Sequence, residues 1–68
     1  MRKTLLLNIS VASLKLGDFK MVVDKTTEAL YLDNQNAKAY YLRAQAKSKS
    51  KHVDEALVDI KEAIKISP

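Results

Sequence analysis

Apolar residues in this chain recur at spacings of three and four rather than two, the period of helices with one buried face. Leu5, Leu6, Ile9, Ala12, Ser13 and Leu16 set the first face, and Gly17 stops it. Asp18 follows as an N-cap, its carboxylate able to accept orphan backbone N–H groups of a second helix that uses Phe19, Val22, Val23, Thr26, Ala29, Leu30 and Leu32. The polar run Asp33-Asn34-Gln35-Asn36 predicts a turn, with Asn36 capping a third helix that starts at Ala37. Ala39, Tyr40, Arg43, Ala44 and Ala46 line that helix, the Arg43 stem covering apolar surface while its head stays in water. Ser48-Lys49-Ser50-Lys51-His52 reads as a break, and Val53, Ala56, Leu57, Ile60, Ala63, Ile64 and Ile66 form a fourth face that Pro68 ends. The pattern predicts an all-α chain of four antiparallel helices in two helix-turn-helix hairpins, without a strand.

Sliding the sequence on itself by 34 residues aligns helix one with three and two with four without a gap. At that offset Lys15 meets Lys49, Phe19 meets Val53, Val22 meets Ala56, Glu28 meets Glu62, Ala29 meets Ala63, Leu30 meets Ile64 and Leu32 meets Ile66. Small residues fall where paired helices approach closely, and larger ones fill the gaps between them. The segments Asn36-Ala37-Lys38-Ala39-Tyr40-Tyr41, Asp54-Glu55-Ala56-Leu57-Val58-Asp59 and Ala63-Ile64-Lys65-Ile66-Ser67-Pro68 resemble a tetratricopeptide repeat. Leu7-Asn8-Ile9 with Leu14-Lys15-Leu16-Gly17-Asp18-Phe19 is similar to the preceding repeat of large immunophilins, of the forty-kilodalton cyclophilin type, and of other heat-shock chaperone adaptors. The resemblance implies a right-handed α-solenoid segment, residues 1–68, with repeat one over 3–36 and repeat two over 37–68. Stacked repeats need about three units and polar caps, so the segment reads as part of a longer protein.

Composition narrows the function classes. A chain of 68 residues that is 47% hydrophobic and 29% charged has the makeup of a small folded domain, short enough that extra contacts from a partner matter. It has no cysteine, which excludes disulfides and thiolate metal sites and fits a cytoplasmic location. Met1-Arg2-Lys3 before Leu5-Leu6-Leu7 imitates a secretory signal, but Asn8 and Ser10 interrupt the apolar run and the helical pattern continues through Leu14 and Leu16. Asn8-Ile9-Ser10 matches the glycosylation sequon, a match that needs a secreted loop. No stretch approaches a membrane span. One histidine, His52 in the predicted turn, one glycine and no clustered carboxylates leave no arrangement for catalysis or phosphate cradling and no cofactor to expect, so the chain reads as a binding module rather than an enzyme.

Recognition would then use the concave face formed by the first helices of stacked hairpins. That face is expected to present Thr4, Leu7, Asn8, Val11, Leu14 and Lys15 from the first hairpin, and Lys38, Tyr41, Leu42, Gln45, Ser48 and Lys49 from the second. Ammonium groups with amide donors and an aromatic suit an extended peptide ending in carboxylates, because charge-assisted hydrogen bonds to carboxylate are the stronger class. The candidate peptide-binding residues are Asn8, Lys15, Lys38, Tyr41, Gln45 and Lys49. Tyr40 is expected in the core and Tyr31 packed near a helix end. The chaperone-adaptor resemblance implies the acidic C-terminal tail of a heat-shock chaperone as partner, with Asn8 and Lys38 matching clamp residues and Leu42 standing where a clamp arginine should be. The formal charge of +4 alone also admits a nucleic acid, but no aromatics interleave with the lysines and no nucleic-acid motif appears. Self-association is the remaining alternative, through an uncapped side carrying Ile60, Ile64 and Ile66.

Overall fold

The computed structural model describes residues 2–67, with side chains for 4–67. Pro68, expected to end the fourth helix, lies outside the described residues, as does Met1. The described residues form α1 (Arg2–Leu16), α2 (Phe19–Leu32), α3 (Ala37–Lys49) and α4 (Val53–Ile66), all α-helical and with no strand among them. Consecutive helices pack on one another, and α1 also touches α3, so that α3 sits against both helices of the first hairpin.

Both hairpin turns use the same helix stop. At the first, Gly17 takes φ +82°, its N–H donates to the Leu14 carbonyl at 3.1 Å, and the Asp18 N–H donates to the Ser13 carbonyl at 2.9 Å. This pair of bonds, with a left-handed residue just past the helix, is the Schellman motif. At the second, Lys51 takes φ +68°, its N–H donates to Ser48, and the His52 N–H donates to Lys47 at 2.7 Å. The second break is narrower than the polar run suggests, because Ser48 and Lys49 are still helical. Asp18 caps α2 by accepting from the Met21 N–H at 3.2 Å, and Asn36 caps α3 by accepting from the Ala39 N–H at 3.2 Å. His52 precedes α4 without a side-chain cap, its Nδ1 lying 3.1 Å from the Ser50 hydroxyl.

The core is one cluster between α1, α2 and α3: Leu6, Leu7, Val22, Ala29, Leu30, Ala39, Leu42 and Ala46, with Val11, Leu14, Phe19, Val23 and Tyr40 half-buried against it. Alanines at 29, 39, 46, 56 and 63 are buried and allow the helix axes to approach closely. The face of α1 differs from expectation. Leu6, Leu7, Ser10 and Ser13 are buried, whereas Leu5 and Ala12 are exposed and Leu16 is 85% exposed. The reason is that α1 meets two helices, and the side turned to α2 and α3 includes serines whose burial costs little once bonded: the Ser10 hydroxyl donates to the Leu6 carbonyl at 2.8 Å. Thr26 does the same in α2, donating to the Val22 carbonyl at 2.7 Å. Tyr31 is 91% exposed rather than packed, and Leu32 is exposed too, because the buried Ala29 and Leu30 hold the inward face and successive residues turn about 100° around the helix.

Candidate functional site

The most densely bonded side-chain group is one that the apolar pattern conceals. Asp59, on the buried face of α4, is 2% exposed and is met by two cations from α3. The Arg43 guanidinium donates through Nε to Oδ2 at 3.0 Å and through Nη2 to Oδ1 at 2.8 Å, a bidentate pair, and the Lys47 ammonium lies 3.2 Å from Oδ2. The third guanidinium nitrogen of Arg43 donates to the Thr27 hydroxyl on α2 at 3.1 Å, and its carbon stands 5.5 Å from the centre of the Tyr40 ring. The head of Arg43 is therefore held in a part-buried ion pair rather than free in water, a correction to its expected placement. At the 34-residue offset Arg43, Lys47 and Asp59 fall on Ile9, Ser13 and Lys25. That simultaneous change of three positions, two to cations and one to an acid, is the sequence signal that could have found the cluster. With Glu55 of α4 also 3.7 Å from the Lys47 ammonium, the two cations of α3 are matched by two acids of α4 and tied to α2 through Thr27, so the work of the cluster is structural.

The outward face of the first helices is where ligand chemistry remains. Asn8, Lys15, Lys38, Tyr41, Gln45 and Lys49 are all exposed, and no acid among the described residues pairs with Lys15, Lys38 or Lys49. Two neighbours expected on this face are buried instead, and two more, Val11 and Leu14, are half-buried against the core. Leu7 and Leu42 belong to the core, with Leu42 8% exposed, because α3 turns that side onto the first hairpin. An arginine at position 42 would thus point into the core and not toward a peptide.

Tyr41, Gln45 and Lys49 converge on one open pocket of about 390 Å³ between α3 and α4, together with Ala44, Ser48 and Ile60. Asn8, Lys15 and Lys38 lie outside it. The pocket offers an aromatic ring, an amide, a hydroxyl and an ammonium above an apolar floor of Ala44 and Ile60, and no carboxylate lines it. Each lining position has a counterpart 34 residues earlier: Leu7, Ser10, Val11, Leu14, Lys15 and Thr26. In the first hairpin Leu7, Ser10 and Thr26 are buried, Val11 and Leu14 are half-buried, and only Lys15 is open to solvent. Among the described residues there is no grouping of histidine or acidic side chains that could hold a metal, and no helix is long and apolar enough to cross a membrane.

Residues 37–68 match the family model of the tetratricopeptide repeat, so α3 and α4 with the turn between them are such a repeat. The first hairpin precedes that match. No solved structure gives a significant match to the chain. Tetratricopeptide repeats are typically non-catalytic and mediate contacts between proteins, and α1 and α2 form a second hairpin packed on this one.

Proposed function

We propose that the chain is a protein-interaction module that takes a carboxylate-bearing peptide along the outward face of α1 and α3. The observation that carries this reading is the convergence of Tyr41, Gln45 and Lys49 on one pocket rim that lacks any acid, with the further exposed groups Asn8, Lys15 and Lys38 on the same pair of helices. A peptide carboxylate accepting from the Lys49 ammonium and the Gln45 amide makes a charge-assisted pair, and the Tyr41 ring and Ile60 receive an apolar side chain beside it. The formal charge of +4 favours an acidic partner before contact is made.

The narrower form of this reading, the acidic C-terminal tail of a heat-shock chaperone held as in immunophilin-type adaptors, draws support from Asn8 and Lys38. It is weakened by Leu42, which is committed to the core where that resemblance calls for an arginine. Calorimetric titration of an acidic pentapeptide, with free and with amidated C-terminus, tests both forms. Lys49→Ala should weaken binding about tenfold, the loss of one charged hydrogen bond, and amidation should cost a similar factor if the terminal carboxylate is the ligand. Dependence on Lys38 as well would favour the clamp form. Binding indifferent to both lysines and to amidation would remove the carboxylate reading.

A further inference from the structure

The surface of α2 that α3 covers has an uncovered counterpart on α4. Phe19 and Val23 are half-buried against the core and Thr26 and Leu30 are buried. At the same positions of the second hairpin stand Val53, Leu57, Ile60 and Ile64, of which Val53, Leu57 and Ile64 are exposed. Their spacing of four, three and four makes one apolar stripe along α4, continuous with the pocket through Ile60. Helix α3 enters its own groove with Ala39, Leu42 and Ala46, all buried. The same positions on α1 carry Leu5, Asn8 and Ala12, all exposed, followed one turn later by the exposed Leu16.

We propose that a second copy of this chain seats its α1 in the groove between α3 and α4, continuing the stack head to tail. The packing of α3 on the first hairpin is the pattern for the contact, and the polarity of the two surfaces argues for this occupant. Leu42 shares its cluster with Leu7, Val11 and Leu14. Its counterpart on α1 is Asn8, and the counterparts of those three groove residues are Tyr41, Gln45 and Ser48. An apolar match inside the chain becomes a polar match between copies, an amide meeting two hydroxyls and a second amide. A helix with leucine in that place would strip water from those groups and return no hydrogen bond. Leu5, Ala12 and Leu16 bring apolar surface to the exposed stripe on α4. The contact joins two different faces, so it is heterologous, leaves a free face at each end and extends beyond two chains. It goes beyond the peptide-binding reading: by the pattern of the first hairpin it covers Tyr41, Gln45 and the pocket floor while leaving Lys49 open, as Lys15 is, so a second copy and a peptide compete for the pocket.

Analytical ultracentrifugation of the full chain up to about 1 mM tests the proposal. Two double variants carry substitutions only at exposed positions: Leu5→Glu with Leu16→Glu on the leading face, and Leu57→Glu with Ile64→Glu on the trailing face. Circular dichroism confirms that each keeps its helices. The parent mass should climb with concentration past that of two chains, and each variant alone should remain at the mass of one. An equimolar mixture should form a two-chain complex that grows no further, since it holds one intact face of each kind. A parent that stays monomeric throughout overturns the proposal, as does a leading-face variant that dimerises alone, which would mean α4 meeting α4. The pentapeptide titration is read separately, so a parent that stays monomeric yet binds the peptide condemns the stack and not the peptide reading.

Discussion

Gly17 and Lys51 occupy the same left-handed position in the two hairpin turns, at φ +82° and +68°, each following a helix closed by the same pair of carbonyl bonds. The residues after them, Asp18 and His52, are likewise equivalent, and only Asp18 caps its helix through the side chain. The first turn thus has the residues its geometry favours, and the second has neither.

Exchanging the weaker set for the stronger should raise stability. Lys51→Gly removes the steric penalty of a left-handed residue and should stabilise by about 1 kcal/mol, and His52→Asp should add about 1 kcal/mol through a cap and a favourable helix dipole. In a domain of this size each step should raise Tm by about 4–8 °C, measured at one fixed chain concentration. Gly17→Ala should lower it by a comparable amount, and since a methyl group there meets no atom within 4 Å, that loss is purely one of backbone conformation.

Asp59→Ala should destabilise by about 3 kcal/mol, because it leaves Arg43 and Lys47 facing each other without their shared carboxylate in a largely buried site. Chemical denaturation of Asp59→Ala beside Asp54→Ala, an exposed acid on the same helix, is the comparison that checks it. Equal midpoints would mean that the cluster contributes nothing.

Leu42→Arg should abolish cooperative folding rather than improve peptide affinity. The substitution places a charge inside the cluster of Leu6, Leu7 and Leu30, where the desolvation cost exceeds the stability of a chain this short. Loss of the thermal transition for Leu42→Arg, with Tyr41→Ala still melting near the parent, is the expected pair of results.

Ala29→Leu and Ala63→Leu should each cost about 1–3 kcal/mol, since both alanines are fully buried where α2 and α4 meet their hairpin partners. Circular dichroism melts of the two variants check this. A variant as stable as the parent would place that alanine outside the close approach.

Most of the architecture was readable from residue spacing, because Gly17, Asp18 and Asn36 mark boundaries by chemistry that acts locally, and the 34-residue offset sets the two hairpins in one register. Burial in α1 was not readable. Leu5-Leu6-Leu7 spreads apolar surface over more than half of the helix circumference, so periodicity cannot say which side two other helices will cover, and Ser10 looks polar until its bond to the backbone is considered. Leu42 was misplaced for a related reason: whether that side of α3 faces a peptide or the first hairpin depends on tertiary packing. At the candidate site the six residues are all exposed, and the convergence of Tyr41, Gln45 and Lys49 without the other three depends on how α3 crosses α4, which spacing does not encode.

Two hairpins with the same spacing of small and large residues invite a folding error in which α4 settles on the surface meant for α2. The carboxylate of Asp59 works against that exchange. Against α3 it meets Arg43 and Lys47, but the corresponding positions of α1 are Ile9 and Ser13, which offer no cation to a buried acid. Misassembly would strand a charge out of water, whereas the native pairing satisfies it, so one residue that departs from the internal symmetry tells each second helix which first helix is its own.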